Sequence, residues 1–301
     1  MSTKKTIVCY GEVLWDMLPT GKVAGGAPMN VAFHANNFGM NAQMISAVGK
    51  DVLGQELLKF LEKKGIATDF IIHTDTLPTS TVEVTLNEKG SATYEIVKPV
   101  AWDSLLVNEA MEIAVTKADY LLFGSLVCRS KNNVRQLFRL LEKANTVVFD
   151  VNLRPPFYTQ SLLEVLLRQA HIVKMNEEEL ALIADWYGVK KETLDQMTFL
   201  KEKFKIDTLL VSKGKEGACC LHDKSLVEQA SFPVQVQDTV GSGDSFLAAF
   251  LFKLSQGSSW QDCLAFACAT GALVATKSGG TPDLNEGMVV DFIYNCQNQN
   301  L

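Results

Sequence analysis

The sequence predicts an α/β protein, a mainly parallel sheet with helices over both faces, and three observations carry that reading. Short apolar runs alternate with helix-period segments along nearly all of the 301 residues. Several runs are apolar at almost every position, as strands buried on both faces require. Polar residues and glycines gather where the runs end, which is where ligands bind in open α/β sheets.

Strands are predicted over 7–11, 42–48, 120–124, 146–151, 171–175 and 208–212. Helices are predicted over 28–38, 53–64, 131–144, 177–184, 242–256, 260–276 and 286–295, the second closed by Gly65. One stretch departs from the alternation. In STVEVTLNEKGSATYEIV, Val82, Val84 and Leu86 alternate with Thr81, Glu83 and Thr85. After the turn NEKG, Ala92, Tyr94 and Ile96 alternate with Thr93 and Glu95, which predicts an antiparallel hairpin with one apolar face. Two strands alone are marginal in water. The face therefore covers a ligand cleft, packs on a second chain, or extends the main sheet. The tail CQNQNL is predicted to fray.

With 47% apolar and 21% charged residues the composition is that of a globular protein. A formal charge of −6 and the lack of any Lys/Arg block argue against nucleic acid as a partner, so an anionic ligand needs a local electropositive pocket or a metal. No apolar run reaches the ~18 residues of a membrane span. TIVCYGEVLW behind Lys4 and Lys5 superficially resembles a signal peptide, but Glu12 and Asp16 interrupt it and no small-residue cleavage site follows. It reads as a first buried strand. The seven cysteines lack paired metal-ligand spacing and read as reduced core residues of a cytoplasmic protein. His34, His73, His171 and His222 are scattered, which speaks against a histidine metal site.

The strand ends carry the candidate chemistry. The first strand delivers Glu12 and Asp16, and VAGGAPMNVA then sets Gly25 and Gly26 before a helix with Pro28 near its first position and Asn30 one turn in. The diglycine either lets main-chain amides approach a small polar ligand or makes a plain tight turn. TVVFDVNLRPP releases Asp150, Asn152 and Arg154, as a ligand shelf or a surface ion pair. HIVKM ends in NEEE, where Asn176 and Glu179 fit a capping box, while the same oxygens suit a hydrated Mg²⁺. TLLVSKGKEGA supplies Ser212, Gly214 and Gly217, too closely spaced for a P-loop, and no G-x-G-x-x-G follows the first strand.

In DTVGSGDSFLAAFLF, Gly241, Ser242 and Gly243 run into Asp244 and then an apolar helix. Unpaired N–H groups and the helix dipole make such a turn welcome to an anion. A carboxylate beside it repels that anion. The pairing makes sense where the acid takes a proton from a hydroxyl attacking a phosphate, or else Asp244 is a favourable first-turn acid.

Together these stretches resemble the PfkB (ribokinase-like) family of carbohydrate kinases. DTVGSGDSF is similar to its C-terminal signature, GGAPMNVA to its N-terminal one, NEEE to its Asn-x-x-Glu element, SKGKEG to its nucleotide loop, and Asp150-x-Asn152-x-Arg154 to its mid-chain motif. They follow in family order from residue 7 to about 283, and the N-terminal pair is most similar to the fructokinase branch. The resemblance implies one three-layer α/β/α kinase domain over 1–301, with a small β lid from about 14–23 and 79–100. It implies ATP as phosphate donor and fructose phosphorylated at its 6-hydroxyl, with Asp244 as base and the amides of Gly241, Ser242 and Gly243 as an anion hole. Asp16, Gly26 and Asn30 would bind the sugar, and Arg154 sugar or phosphate. Asn176 and Glu179 would organise the waters of Mg²⁺, Ser212, Gly214 and Gly217 would meet the nucleotide, and Asp238 with backbone oxygens around Val240 and 277–279 matches a K⁺ position. A homodimer clasped through the lid is the implied assembly. GGAPMN in place of the ribokinase GGKGAN lowers ribose as a substrate, and the late helix lacks the asparagines some relatives give to the nucleotide pocket. Rival readings are a kinase of the family acting on 2-keto-3-deoxygluconate, ribose or a nucleoside, and a sugar sensor without turnover.

Overall fold

A computed structural model describes residues 4–18, 21–86 and 92–298. The chain runs β1 (Thr6–Tyr10), β2 (Leu14–Leu18), β3 (Gly21–Gly25), α1 (Ala27–Asn37), β4 (Asn41–Gly49), α2 (Val52–Lys63), β5 (Ile71–Thr74), β6 (Ser80–Leu86) and β7 (Ala92–Ile96). It continues through α3 (Glu109–Lys117), β8 (Tyr120–Gly124), α4 (Lys131–Leu141), β9 (Val147–Asp150), α5 (Gln160–Leu167), β10 (Ile172–Asn176), α6 (Glu177–Asp185) and α7 (Thr193–Phe204). It closes with β11 (Thr208–Ser212), β12 (Ala218–His222), β13 (Ser225–Gln229), α8 (Ser242–Ser255), α9 (Trp260–Ala275) and α10 (Glu286–Asn298).

Nine strands form one sheet in the order β13-β12-β11-β10-β9-β8-β1-β4-β5, parallel from β11 to β5 and antiparallel over the last hairpin. The two-residue strand period sends alternate side chains into two separate cores. Ile7 and Cys9 of β1 face Phe33 of α1 and Phe250 of α8, whereas Val8 and Tyr10 face the side that buries Met111 of α3 and Leu137 of α4. Helices therefore cover both faces, the three-layer arrangement predicted. Strand order reverses beside β1, with β4 on one flank and β8 on the other. That reversal opens a crevice at the carboxyl ends of the strands.

A second sheet, ordered β3-β2-β6-β7, stands apart. β6 and β7 pair antiparallel, Val82 opposite Ile96, as their alternation predicts, and β2 adds in parallel beside β6. The turn NEKG lies outside the described residues, as do residues 19–20 of the 14–23 lid segment and the last three residues of the tail. Trp15 and Met17 pack on the α1–α8 core, and Trp15 Nε1 donates to the Leu53 carbonyl at 3.0 Å, which seats the small sheet over α2. Among the described residues Cys9, Cys128, Cys219, Cys220, Cys263 and Cys268 are free thiols and no helix is long and apolar enough to cross a membrane.

Candidate active site

The turn before α8 is shaped by glycine. Gly241 takes φ +74°, and a Cβ there would lie 2.5 Å from Gly280 Cα, so a side chain is excluded by strain and by space. Helical bonding starts with Ser245 N–H to Gly241 O at 2.8 Å; Ser242 N–H turns back to Thr239 O at 3.2 Å, and the amides of Gly243 and Asp244 have no acceptor within the helix. Asp244, half-buried in that turn, accepts a 2.8 Å hydrogen bond at Oδ2 from Asn30 Nδ2 of α1. Two motifs 214 residues apart thus meet at one carboxylate. Burial, then the charge of Asp150, push its pKa up to about 6 against the pull of Lys174, the Asn30 bond and Arg154.

On the α1 side, Gly26 has φ +120° and a Cβ on it would sit 2.4 Å from the Glu12 carbonyl oxygen. Glu12 is 3% exposed; its Oε1 accepts Ala27 N–H at 3.3 Å and its Oε2 is buried with no partner among the described residues. Burial lifts its pKa to about 7. Asp16 lies against Gly25, where a Cβ would be 2.7 Å from Oδ2, and burial raises its pKa to about 6 while Arg154 opposes. Arg154 itself is exposed, and its guanidinium donates among the described residues to the neighbouring Leu153 carbonyl alone, at 3.0 Å. Its charge is nevertheless felt at Glu12, Asp16 and Asp244, which places it at the rim of the same crevice.

Asn176 and Glu179 form the capping box read from NEEE: Glu179 N–H donates to Asn176 Oδ1 at 2.8 Å and Asn176 N–H to Glu179 Oε2 at 2.9 Å. Glu179 Oε1 also accepts Leu153 N–H at 2.7 Å, tying the loop after β9 to α6. Burial raises its pKa, with Lys174 opposing.

Ser212, Gly214 and Gly217 line a cavity of about 470 Å³ together with Ser242 and Gly243. Its other walls are largely apolar, among them Phe232, Val236 and Ala272. Gly217, in the turn between β11 and β12, is kept bare by β13, since a Cβ there would lie 2.0 Å from Gln229 O. Asp238 bridges two turns, accepting Val240 N–H and Gly279 N–H, each at 3.0 Å. Gly280 O in turn lies 2.9 Å from Nε2 of the buried His34.

Sequence reasoning assigned no role to Lys174, which lies 3.1 Å from Asp150 Oδ1, the two residues being 6% and 2% exposed. Its signal is a lone lysine inside the apolar strand IVKMN. His34 and the apolar cavity walls also went unassigned, because an isolated histidine or a Phe-Pro-Val run carries no motif.

A model of the pfkB family carbohydrate kinases matches residues 4–286. A fructokinase of Salmonella typhimurium is 28% identical over 293 residues, covering 89% of this chain and 92% of that protein. The crystal structure of a fructokinase with bound ATP from Xylella fastidiosa superposes with a TM-score of 0.86 at 26% identity, over 99% of this chain and 100% of that one. A fructokinase from Vibrio cholerae O395, solved with fructose, ADP and calcium ion, shares the fold at a TM-score of 0.83 and 23% identity, over 96% and 99% of the two chains. An acid at an amide-rich helix start, beside an apolar cavity and a diglycine crevice, suits phosphoryl transfer to an alcohol, and the family match makes that the chemistry of this protein: the chain belongs to the pfkB family of carbohydrate kinases.

Proposed function

We propose that the protein is an ATP-dependent fructokinase that phosphorylates the 6-hydroxyl of fructose. The observation that carries the reading is the Asn30–Asp244 hydrogen bond, which holds a carboxylate of raised pKa between the diglycine side of the crevice and the cavity lined by Ser242 and Gly243. The ATP-bound Xylella structure and the Salmonella fructokinase support the donor and the sugar.

In this reading Asp16, Gly26 and Asn30 bind the sugar and Arg154 covers its rim. Asp244, ionised above pH ~6, takes the hydroxyl proton as the sugar oxygen attacks the terminal phosphorus, and the bond to the departing ADP oxygen breaks. Amides of Gly241–Gly243 receive the phosphoryl oxygens. Ser212, Gly214 and Gly217 border the nucleotide. Asn176 and Glu179 fit a hydrated Mg²⁺, because each Glu179 oxygen accepts one main-chain N–H and keeps a second lone pair. The ion would neutralise nucleotide phosphate charge. Asp238 with nearby backbone oxygens is the corresponding K⁺ site. The β3-β2-β6-β7 sheet acts as a lid on a single kinase domain spanning 1–301. Its face bearing Leu14, Leu18, Val82 and Ile96 is the contact through which two chains would pair.

The test is coupled ADP release over fructose, ribose, 2-keto-3-deoxygluconate and adenosine. Fructose should give the highest kcat/KM, and Asp244→Ala should lower turnover by about 10²–10⁴-fold with sugar affinity retained. A different preferred acceptor ends the fructokinase reading. Near-normal turnover in the variant removes Asp244 as the base.

A further inference from the structure

Lys174 occupies a place where an apolar side chain belongs. In β10, Val173 and Met175 join the core on the α3–α7 side, so the strand period puts Lys174 on the opposite face with Ile172, toward the α8 layer. Its register neighbour on β11 is Leu210, a member of that apolar core, and on β9 it is Asp150. The ammonium reaches the start of α8: a Cβ on Gly243 would lie 3.0 Å from Nζ. A helix N-terminus is already partly positive. A cation added there strengthens the pull of the turn on an anion.

Asp150 alone does not account for the arrangement. A buried ion pair is weak support for stability, since apolar residues of like size often replace it without loss. The contact to Asp150 Oδ1 is the one ion pair that Nζ makes among the described residues, and an ammonium carries three donors. Asp150 Oδ1 takes one of those donors and its Oδ2 is buried with no partner among the described residues, so two of the three Nζ donors stay available to an anion. Nζ lies beside bare Gly243, which lines the 470 Å³ cavity.

We infer that Lys174 is a catalytic residue that donates hydrogen bonds from Nζ to the phosphoryl group in flight, with Asp150 as its positioning residue. The inference rests on the phosphoryl-transfer reading of this site. As the sugar oxygen–phosphorus bond forms and the bond to the ADP oxygen breaks, the hydroxyl proton passes to Asp244, and Lys174 stays protonated throughout. Asp150, 3.1 Å from Nζ, stands as its counter-charge. Lys174 thus supplies the charge that the main-chain amides lack.

The experiment separates this role from simple neutralisation of Asp150. Lys174→Met alone strands a buried carboxylate and risks unfolding, so the decisive protein is the double variant Lys174→Met/Asp150→Asn, which removes both charges. Its turnover should remain 10²–10³-fold below wild type, the loss typical of one oxyanion donor. By calorimetric titration its affinity for ATP should fall tenfold or more while that for ADP changes less than threefold, because Nζ meets only the terminal phosphate. Turnover within tenfold of wild type, or equal weakening of ATP and ADP, overturns the inference. Failure of the fructokinase reading shows up separately, as wild-type protein that does not phosphorylate fructose; the ATP-against-ADP comparison still judges Lys174.

Discussion

Asp244 shares a hydrogen bond with Asn30 and an electrostatic neighbourhood with Asp150, Lys174 and Arg154. Burial and Asp150 disfavour its charged form, and the other three only partly compensate. A base of raised pKa is ionised at neutral pH yet still basic enough to accept a hydroxyl proton. Two consequences follow at this residue. Wild-type kcat/KM should fall as pH drops below about 6, where the proton occupies the base. Asp244→Asn should lose about 10²–10⁴-fold in turnover and yet gain stability at pH 7.5. The folded pKa stands above the ordinary 3.8, so ionisation costs the folded state on the order of 1–3 kcal/mol that a neutral amide avoids. At pH 4 the carboxyl is protonated and the gain should vanish. Thermal unfolding of both proteins at pH 4 and 7.5 checks this; equal gains at the two values would mean that charge is not the cause.

The turn before α8 poses the corresponding question for an element. Gly241→Ala meets two penalties, a positive φ of +74° and a Cβ 2.5 Å from Gly280 Cα. Gly39 has φ +95° with nothing within 4 Å of its Cβ position, so Gly39→Ala carries the conformational penalty alone, about 1–2 kcal/mol. Gly241→Ala should cost clearly more in denaturant unfolding and should also depress turnover, because the amide cradle has to move. Equal losses at the two positions would show that Gly280 yields freely. The turn was legible because its physics is local, a run of small residues ahead of an apolar helix. The strands at 120–124 and 208–212 were placed to the residue because unbroken apolar runs end abruptly at polar ones. Elements with thin burial stayed hidden: α7 buries only Met197, Leu200 and Phe204, β5 has four residues, and β13 is half-exposed SLVEQ. α3 and α5, of nine and eight residues, also fell below what periodicity resolves. The Asn30–Asp244 and Asp150–Lys174 contacts were illegible for another reason. Each joins segments whose adjacency exists only once the sheet order is fixed.

Across the whole molecule the crevice gathers, besides Glu179, three acids with clearly raised pKa values: Glu12 at about 7, Asp16 and Asp244 at about 6. Each binds its proton more tightly folded than unfolded, so each contributes stability that is present at low pH and lost as pH rises through its folded value. His34 acts oppositely. Burial lowers its pKa to about 4, so the unfolded chain takes up the proton first and stability is lost as pH falls from 6.5 toward 4. Asp51 and Asp119, whose pKa values are lowered, act only at or below the ordinary 3.8. Between pH 5.5 and 7.5 the three acids outweigh the one histidine by roughly 2 kcal/mol, after crediting each group with its shift. The ligand-free protein should therefore melt several degrees lower at pH 7.5 than at pH 5.5, against the usual expectation for a protein with a net charge of −6. Glu12→Gln should flatten that slope, since Glu12 is the acid still titrating near pH 7. A melting temperature that holds level or rises over this interval would mean that the crevice acids are solvated in the folded chain and impose no strain on it.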